Sequence, residues 1–352
     1  MRKLAIVVAA LLIIGAVALI GLWYFIGEPM YEPGMVRKEI NLRAPLTPPD
    51  QPSDGSFWQV ETDIRLHHFE AGEGRNVVII HGGPGYPHLE AWRGLDALTD
   101  QYRFHYYDQR GCGQSSRPFE RFSNSNFYAN MTTLEQTLGL GAQIADIERI
   151  RRILKDEKLI LIGHSFGGLL ASLYAAEFPD HLQALALVAP ANLRVMPFEG
   201  DDLFASIRAR LPQDQKDPFD EFMAGYFDFG NIFSKSETEL IAQNAELANF
   251  YAQVTEINAP LTPQGKPGGW MAYGMYFSMG QRHDYRPYLE TADAPVLVIH
   301  GAEDLQSEEA SRSDVEAFPN AEFLVIDGAT HFPFSEQPES FSRAVAGFLD
   351  EP

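Results

Sequence analysis

The sequence predicts an α/β fold in which helices cover both faces of a mostly parallel sheet that carries a helical cap insertion. Short, continuously apolar segments, typical of strands buried on both sides, alternate with segments of helical periodicity. Between residues 191 and 288 the buried-strand pattern stops, and aromatic-rich helical segments replace it. Within residues 159–172 an apolar run ends at Gly163, Ser165 follows, and a small-residue helical pattern begins. This order indicates a strand, a sharp turn and a helix.

One membrane-spanning helix is predicted ahead of the fold, within residues 1–27. Arg2 and Lys3 precede an uncharged, apolar stretch from residue 4 to residue 26. At about 1.5 Å per residue, a helix of this length crosses a hydrocarbon core of about 30 Å. Because positive charges favour the cytoplasmic side, we expect the catalytic part to lie on the non-cytoplasmic side. The alternative is a signal sequence cleaved after Ala18, which would give a secreted or periplasmic protein.

The segments that follow are predicted in chain order. Residues 28–56 form a proline-rich spacer that becomes an edge strand at residues 36–42. The core is expected in two parts, residues 57–190 and 289–352. Alternating apolar residues at 57–62 and 64–69 indicate a hairpin, and residues 76–81 indicate a central strand. Further strands are predicted at 103–107, 159–162, 185–188, 296–299 and 322–326, with helices at 89–100 and 143–155.

Residues 191–288 are predicted to form the helical cap, with helices at 202–211, 217–229 and 236–256. Because this insertion separates two core strands, we expect it to close over Ser165 and to form the substrate pocket. Residues 198–261 contain twelve acidic and four basic side chains, so an inward carboxylate could pair with a substrate amine. The substrate-binding candidates are Glu221, Tyr226, Trp270 and Tyr273.

Ser165 is the predicted nucleophile. In a G-x-S-x-G turn the serine backbone is strained and crowded, so Gly163 and Gly167 must lack side chains. The backbone N–H of Phe166 opens the following helix and points to where an oxyanion would form. The alternative is an ordinary glycine- and serine-containing turn.

A serine nucleophile needs a base and a group that orients the base, and the chain order serine, acid, histidine selects the candidates. Asp304 follows the predicted strand 296–299, and Glu303 is the alternative acid. His331 follows the predicted strand 322–326. All three loops therefore meet at the carboxyl edge of the sheet.

Composition excludes several other classes of function. The net charge of −21 opposes binding to nucleic acid or to an anionic membrane surface. A single cysteine, Cys112, allows neither an internal disulfide nor a cysteine-based zinc site. His67 and His68 point to opposite faces of their strand, and no H-E-x-x-H motif occurs, so no metal is predicted. No nucleotide-binding motif is complete, and no cofactor is expected.

Two further motifs carry a resemblance to a known family. They are His-Gly-Gly-Pro-Gly at residues 81–85 and Asp-Gln-Arg-Gly-Cys-Gly-Gln-Ser at residues 108–115, supported by Asp-Ile-Glu-Arg-Ile-Arg at residues 146–151. With the serine turn, they make the chain from about Phe57 onward resemble an α/β-hydrolase, and within that superfamily the proline iminopeptidases. The resemblance implies a triad of Ser165, Asp304 and His331, with the Gly83 N–H as second oxyanion donor. Asp108 and Arg110 are predicted to form a structural ion pair in their turn.

The predicted activity is that of a serine hydrolase working through an acyl-enzyme. Its expected reaction is release of N-terminal proline or another apolar residue from small peptides. The alternatives are a carboxylesterase or lactonase acting on small acyl substrates, and a non-catalytic binding protein on the same scaffold. His164 and Phe166 flank the serine as they do in many esterases. The expected partners are a small-molecule or short-peptide substrate and, through the N-terminal helix, a membrane; the sequence names no protein partner.

Overall fold

The computed structural model describes residues 28–53, 55–194, 203–255 and 266–350. In this part of the chain, eight strands form one sheet in the order β1-β2-β4-β3-β5-β6-β7-β8. The β1–β2 and β2–β4 pairs are antiparallel, and the other neighbours are parallel. The strands are β1 Phe57–Glu61, β2 Ile64–Ala71, β3 Arg75–Ile80, β4 Tyr102–Tyr107, β5 Leu159–His164, β6 Leu182–Val188, β7 Val296–Gly301 and β8 Ala321–Ile326.

Helices cover both faces of this sheet. The α-helices are α1 Phe127–Leu138, α2 Leu140–Leu154, α3 Phe166–Glu177, α4 Leu203–Arg210, α5 Gln213–Tyr226, α6 Glu237–Val254, α7 Trp270–Met279, α8 Glu308–Val315, α9 Pro333–Glu336 and α10 Pro338–Asp350. Strand β3 shows the two-sided burial directly: Val78 and Ile80 join the core under α1, α2, α3 and α7. Val77 and Ile79 join the opposite core, which contains α10 and a 3-10 helix at Arg93–Leu98. The predicted α/β architecture is therefore confirmed.

The predicted cap helices are present as α4, α5 and α6. Ile207, Phe219 and Phe250, one from each helix, are buried in the core that also contains α10. Helix α7 lies instead in the opposite core, packed against α1. The insertion thus contributes helices to both faces of the sheet.

The predicted edge strand at residues 36–42 is wrong. This segment forms consecutive turns, with left-handed backbone at Glu39 and Asn41 (φ 54° and 62°). Its amides bind a carboxylate instead of a strand: Glu177, at the end of α3, accepts hydrogen bonds from the Val36 and Arg37 N–H groups at 3.1 and 3.0 Å. The same carboxylate accepts from the Tyr31 hydroxyl and the Gly34 N–H.

The start of the described chain is also attached to α7. The N–H groups of Met30 and Tyr31 both donate to the Ser278 carbonyl, at 2.9 and 3.1 Å. The predicted helix at 89–100 is shorter than expected and is the 3-10 helix Arg93–Leu98. Among the described residues, no helix is long and apolar enough to cross a membrane. The predicted membrane helix at residues 1–27 lies outside them.

Candidate active site

Ser165 lies at the junction of β5 and α3 in a strained backbone conformation, with φ 53° and ψ −122°. A Cβ on Gly163 would lie 2.4 Å from the Gly167 carbonyl oxygen. A Cβ on Gly167 would lie 2.1 Å from the Ile80 carbonyl oxygen. Both positions therefore require glycine, as predicted. The Ser165 N–H donates to the Val188 carbonyl of the neighbouring strand β6 at 2.9 Å, which ties the turn to the sheet.

His331 and Asp304 lie together in the loops that follow β8 and β7. The Asp304 carboxylate oxygens lie 2.9 and 3.2 Å from His331 Nδ1. Asp304 Oδ1 also accepts the Gln306 N–H at 3.1 Å. Burial opposes ionisation of Asp304, but the His331 ring and these hydrogen bonds outweigh it, so the pKa of Asp304 lies below its usual value. Glu303, the alternative acid, is exposed to solvent.

Ser165 and His331 line one cavity of about 510 Å³ beneath the cap. A cavity of this size holds a small molecule or a dipeptide. Its wall includes apolar side chains from both the cap and the core: Leu203, Phe204, Ile207, Leu247, Ala248, Tyr251, Trp92, Phe332 and Phe334. Among the described lining residues the only carboxylate is that of Glu90. Glu90 is exposed to solvent, as is Arg93, another charged residue of the lining.

The predicted oxyanion donors flank the nucleophile. Phe166 is the first residue of α3, and Gly83 lines the cavity together with Gly82. Gly82 is packed so tightly against the serine that an added Cβ would lie 2.7 Å from Ser165 Cβ. Gly83 has a φ of 125°, which favours glycine. Their role in binding an oxyanion remains a prediction.

The four substrate-binding candidates named from the cap sequence are absent from the described wall of this cavity. Glu221 is exposed on α5. The Tyr226 hydroxyl donates to Asn244 Oδ1 at 2.7 Å, and the Tyr273 hydroxyl donates to the Tyr226 carbonyl at 3.0 Å. Trp270 is fully buried. The three aromatic side chains pack the cap and core, and the faces of α4 and α6 supply the wall instead.

Two groups that the sequence analysis did not assign hold the histidine loop. His164 Nε2 lies 2.8 Å from the His331 carbonyl oxygen, and burial lowers the pKa of His164 to about 3, so the ring is neutral and donates this hydrogen bond. Glu336 accepts hydrogen bonds from both the N–H and the hydroxyl of Thr330. His164 could have been found from the sequence because it stands directly before Ser165, whereas no sequence pattern pointed to Glu336.

Two polar groups in the cavity wall have buried atoms with no hydrogen-bond partner among the described residues. They are the Tyr251 hydroxyl and His88 Nε2. The Trp92 indole N–H lies 3.2 Å from His88 Nδ1, which makes Nδ1 the acceptor and leaves the proton of the neutral ring on Nε2. Burial lowers the pKa of His88 well below its usual value. Both groups can donate a hydrogen bond.

The predicted Asp108–Arg110 ion pair is wrong. Arg110 is fully buried and binds Asp146, at 2.6 and 2.7 Å, and Glu61, at 2.7 Å. Asp108 instead contacts His67 Nδ1 at 3.1 Å and accepts the N–H of Gln114. A buried arginine requires buried carboxylates, and Glu61 on β1 and Asp146 on α2 supply them in place of Asp108.

A family model for the alpha/beta hydrolase fold matches residues 75–338. The chain belongs to the alpha/beta hydrolase family. Curated relatives include the proline iminopeptidase of Lactobacillus helveticus, which is 25% identical over 294 residues covering 80% of this chain and 92% of that protein. The resemblance to proline iminopeptidases predicted from the motifs is thus confirmed.

Solved structures of similar fold include two enzymes of different named activity. The proline iminopeptidase of Mycobacterium smegmatis has a TM-score of 0.56 at 20% identity, over 82% of this chain and 95% of its own. A thermophilic esterase from Thermogutta terrifontis has a TM-score of 0.52 at 21% identity, over 84% and 96%. At these identities the likeness establishes the fold. The chain is a hydrolase enzyme of this family.

Proposed function

We propose that the protein is a serine hydrolase that acts through an acyl-enzyme formed on Ser165. The observation that carries this proposal is the cavity that Ser165, on its strained turn, lines together with His331. Nδ1 of His331 contacts the buried Asp304 carboxylate. A serine held this way has the base and the orienting acid that its chemistry needs.

In the proposed mechanism, His331 Nε2 takes the hydroxyl proton of Ser165 as the oxygen attacks the substrate carbonyl. Asp304 keeps the Nδ1–H tautomer in place and stabilises the imidazolium that forms. The N–H groups of Gly83 and Phe166 bind the oxyanion, and the start of α3 adds its dipole. His331 then protonates the leaving group, and water, activated in the same way, releases the acyl product.

The reaction that we propose first is release of N-terminal proline or another apolar residue from small peptides. Sequence similarity to proline iminopeptidases over most of the chain supports it. The apolar wall suits a proline ring, and two acidic residues, Asp201 and Asp202, directly precede the wall residue Leu203 in the chain. With Glu90, they are the candidates for holding a free amine.

Carboxylesterase or lactonase activity is the second candidate. It is favoured by the described lining of the cavity, which contains no buried carboxylate to pair with an ammonium group. An uncharged acyl group needs only the apolar wall and the donors at Tyr251 and His88.

Three matched substrates separate the two reactions: a prolyl arylamide, its N-acetylated form and an aryl ester of a short fatty acid. The aminopeptidase proposal expects the free-amine arylamide to have the highest kcat/KM and acetylation to abolish turnover. Rapid ester hydrolysis with no effect of acetylation would replace it with the esterase. Failure of the folded protein to react with a fluorophosphonate probe would overturn the serine hydrolase itself.

We also propose that residues 1–27 anchor the protein in a membrane, with the catalytic part on the non-cytoplasmic side. The uncharged stretch after Arg2 and Lys3 supports this location. The intact protein should sediment with membranes and resist extraction by salt. A mature N-terminus just after Ala18, found by mass spectrometry, would establish the cleaved signal instead.

A further inference from the structure

A cluster of metal-binding side chains lies on β2 and β4, away from the Ser165 cavity. His68 and Glu70 are two residues apart on β2 and so share a face of the sheet. His105 on β4 pairs directly with Glu70 across the antiparallel ladder. One ligand atom from each of the three residues lies within 4.8 Å of the other two. None of the three lines the cavity.

The hydrogen bonds around His105 fix which ring nitrogen carries the proton. Asn76 directs its amide nitrogen at the Asp156 carboxylate, at 2.9 and 3.2 Å, because a carboxylate can only accept. The Asn76 oxygen therefore faces His105 Nε2, at 2.8 Å, and must accept a proton from it. A neutral His105 ring is thus protonated on Nε2 and presents a lone pair at Nδ1.

A carboxylate oxygen lies beside that lone pair, off the axis of a direct hydrogen bond. Glu70 Oε1 lies 3.2 Å from His105 Nδ1, and His105 is only 1% exposed. Nδ1 has no hydrogen-bond partner among the described residues. A buried lone pair beside a carboxylate oxygen is repulsive unless a proton or a metal ion lies between them. His68 Nδ1, 4.0 Å from the same Glu70 oxygen, adds a third donor atom to this arrangement.

We propose that His68, Glu70 and His105 bind a divalent transition-metal ion, with zinc as the best match. Two imidazoles and a carboxylate suit zinc, whereas magnesium and calcium prefer oxygen ligands. Tetrahedral zinc places its donor atoms about 3.3 Å apart. The Glu70–His105 separation already meets this value. The side chain of Glu70 is 40% exposed, so it can move toward His68 and leave a fourth position for water.

The surroundings fit a structural ion. The Asp156–Asn76–His105 chain orients a ligand histidine through its far nitrogen, as metal sites commonly do. The His68 ring stacks on Trp58 of β1, with 3.9 Å between ring centroids. Arg103 is the competing cation, but its Nε lies 3.8 Å from Glu70 Oε2, and its side chain is 44% exposed. A bound ion would join β2 to β4 and fix the β1–β2 hairpin through Trp58.

Zinc chloride titrated into the chelator-treated, untagged full-length protein tests the site by calorimetry. We expect one zinc per chain, no displacement by excess magnesium chloride, and loss of this binding in Glu70→Gln and His105→Gln. Asn76→Leu should weaken the affinity by about 10–100-fold because it removes the orienting acceptor. The matched control is His181→Gln, which breaks a histidine–carboxylate contact of 3.3 Å elsewhere and should leave zinc binding unchanged.

Trp58 supplies an independent signal, since zinc on His68 should change the fluorescence of the indole stacked on it. Trp58→Phe should remove that change and keep the calorimetric binding. Absence of saturable zinc binding, or binding that survives both Glu70→Gln and His105→Gln, overturns the proposal. Should His105→Gln fail to fold, Glu70→Gln decides alone, because it is isosteric at a partly exposed position.

Discussion

Asp304→Asn should almost abolish the reactivity of Ser165 while leaving the fold intact. The Gln306 N–H donates to Asp304 Oδ1, so the asparagine oxygen will keep that position. Its amide nitrogen then replaces Oδ2, which lies 2.9 Å from His331 Nδ1. An N–H donor there holds the imidazole with Nδ1 as acceptor and Nε2 protonated, the tautomer that cannot accept the serine proton. By analogy with the corresponding change in a serine protease, we expect a loss of about 10⁴-fold, or about 5 kcal/mol.

The rate of covalent labelling by a fluorophosphonate measures this loss without knowledge of the substrate. Circular dichroism and the unfolding midpoint confirm that the variant is folded, and Ser165→Ala sets the background. Glu303→Gln is the matched control, because Glu303 is the adjacent, exposed carboxylate, and it should label at the wild-type rate. A folded Asp304→Asn protein that labels within about 10-fold of the wild-type rate would show that Asp304 does not orient the base.

Gly167→Ala should yield little folded protein, because its Cβ would meet the Ile80 oxygen at 2.1 Å; a native circular dichroism spectrum would contradict this. Glu336→Ala should lower kcat for an ester at unchanged KM, because Thr330 beside the predicted base loses both hydrogen bonds, and Glu336→Gln should recover part of the rate. A normal kcat in Glu336→Ala removes the positioning role. Burial raises the pKa of Glu135 from 4.5 to about 7, so between these pH values the folded protein keeps a proton that the unfolded chain releases. The free energy of unfolding therefore falls by up to about 3 kcal/mol as the pH rises from 4.5 to about 7. Urea unfolding should therefore show Glu135→Gln gaining stability over wild type between pH 5 and pH 8, and a constant difference would refute this.

The parts of the site that depend on local geometry could be predicted from the sequence. Gly163 and Gly167 are needed because of backbone contacts within one strand–turn–helix unit, and that requirement is visible in residue spacing. Asp304 and His331 were found because parallel strands end at a common edge of the sheet. Helix α1 was missed although Asn126 caps it and apolar residues recur at helical spacing at Phe127, Met131, Leu134 and Leu138.

Contacts between distant segments could not be predicted in the same way. Which face of a cap helix lines the cavity depends on packing between distant segments. The wall residues on α4 and α6 were therefore not found, and Tyr226 and Trp270 were named as substrate-binding candidates instead. The edge-strand prediction failed because the Glu177 carboxylate, far away in the chain, captures the amides of residues 34–37. The sequence alone predicts no metal for a related reason: His105 reaches His68 and Glu70 only through strand pairing.

The hydrogen bonds of Met30 and Tyr31 to the Ser278 carbonyl, with the Glu177 contacts that follow, determine how freely an anchored enzyme could move. In a chain anchored through residues 1–27, only about three residues separate the end of the anchor from the first of these bonds. At about 3.6 Å per residue they span about 10 Å. The catalytic domain would then be held close to the bilayer, with little freedom to change its distance from the membrane or its orientation. Its substrates would be those that reach the lipid headgroups, and lengthening this junction with a flexible linker should widen that range.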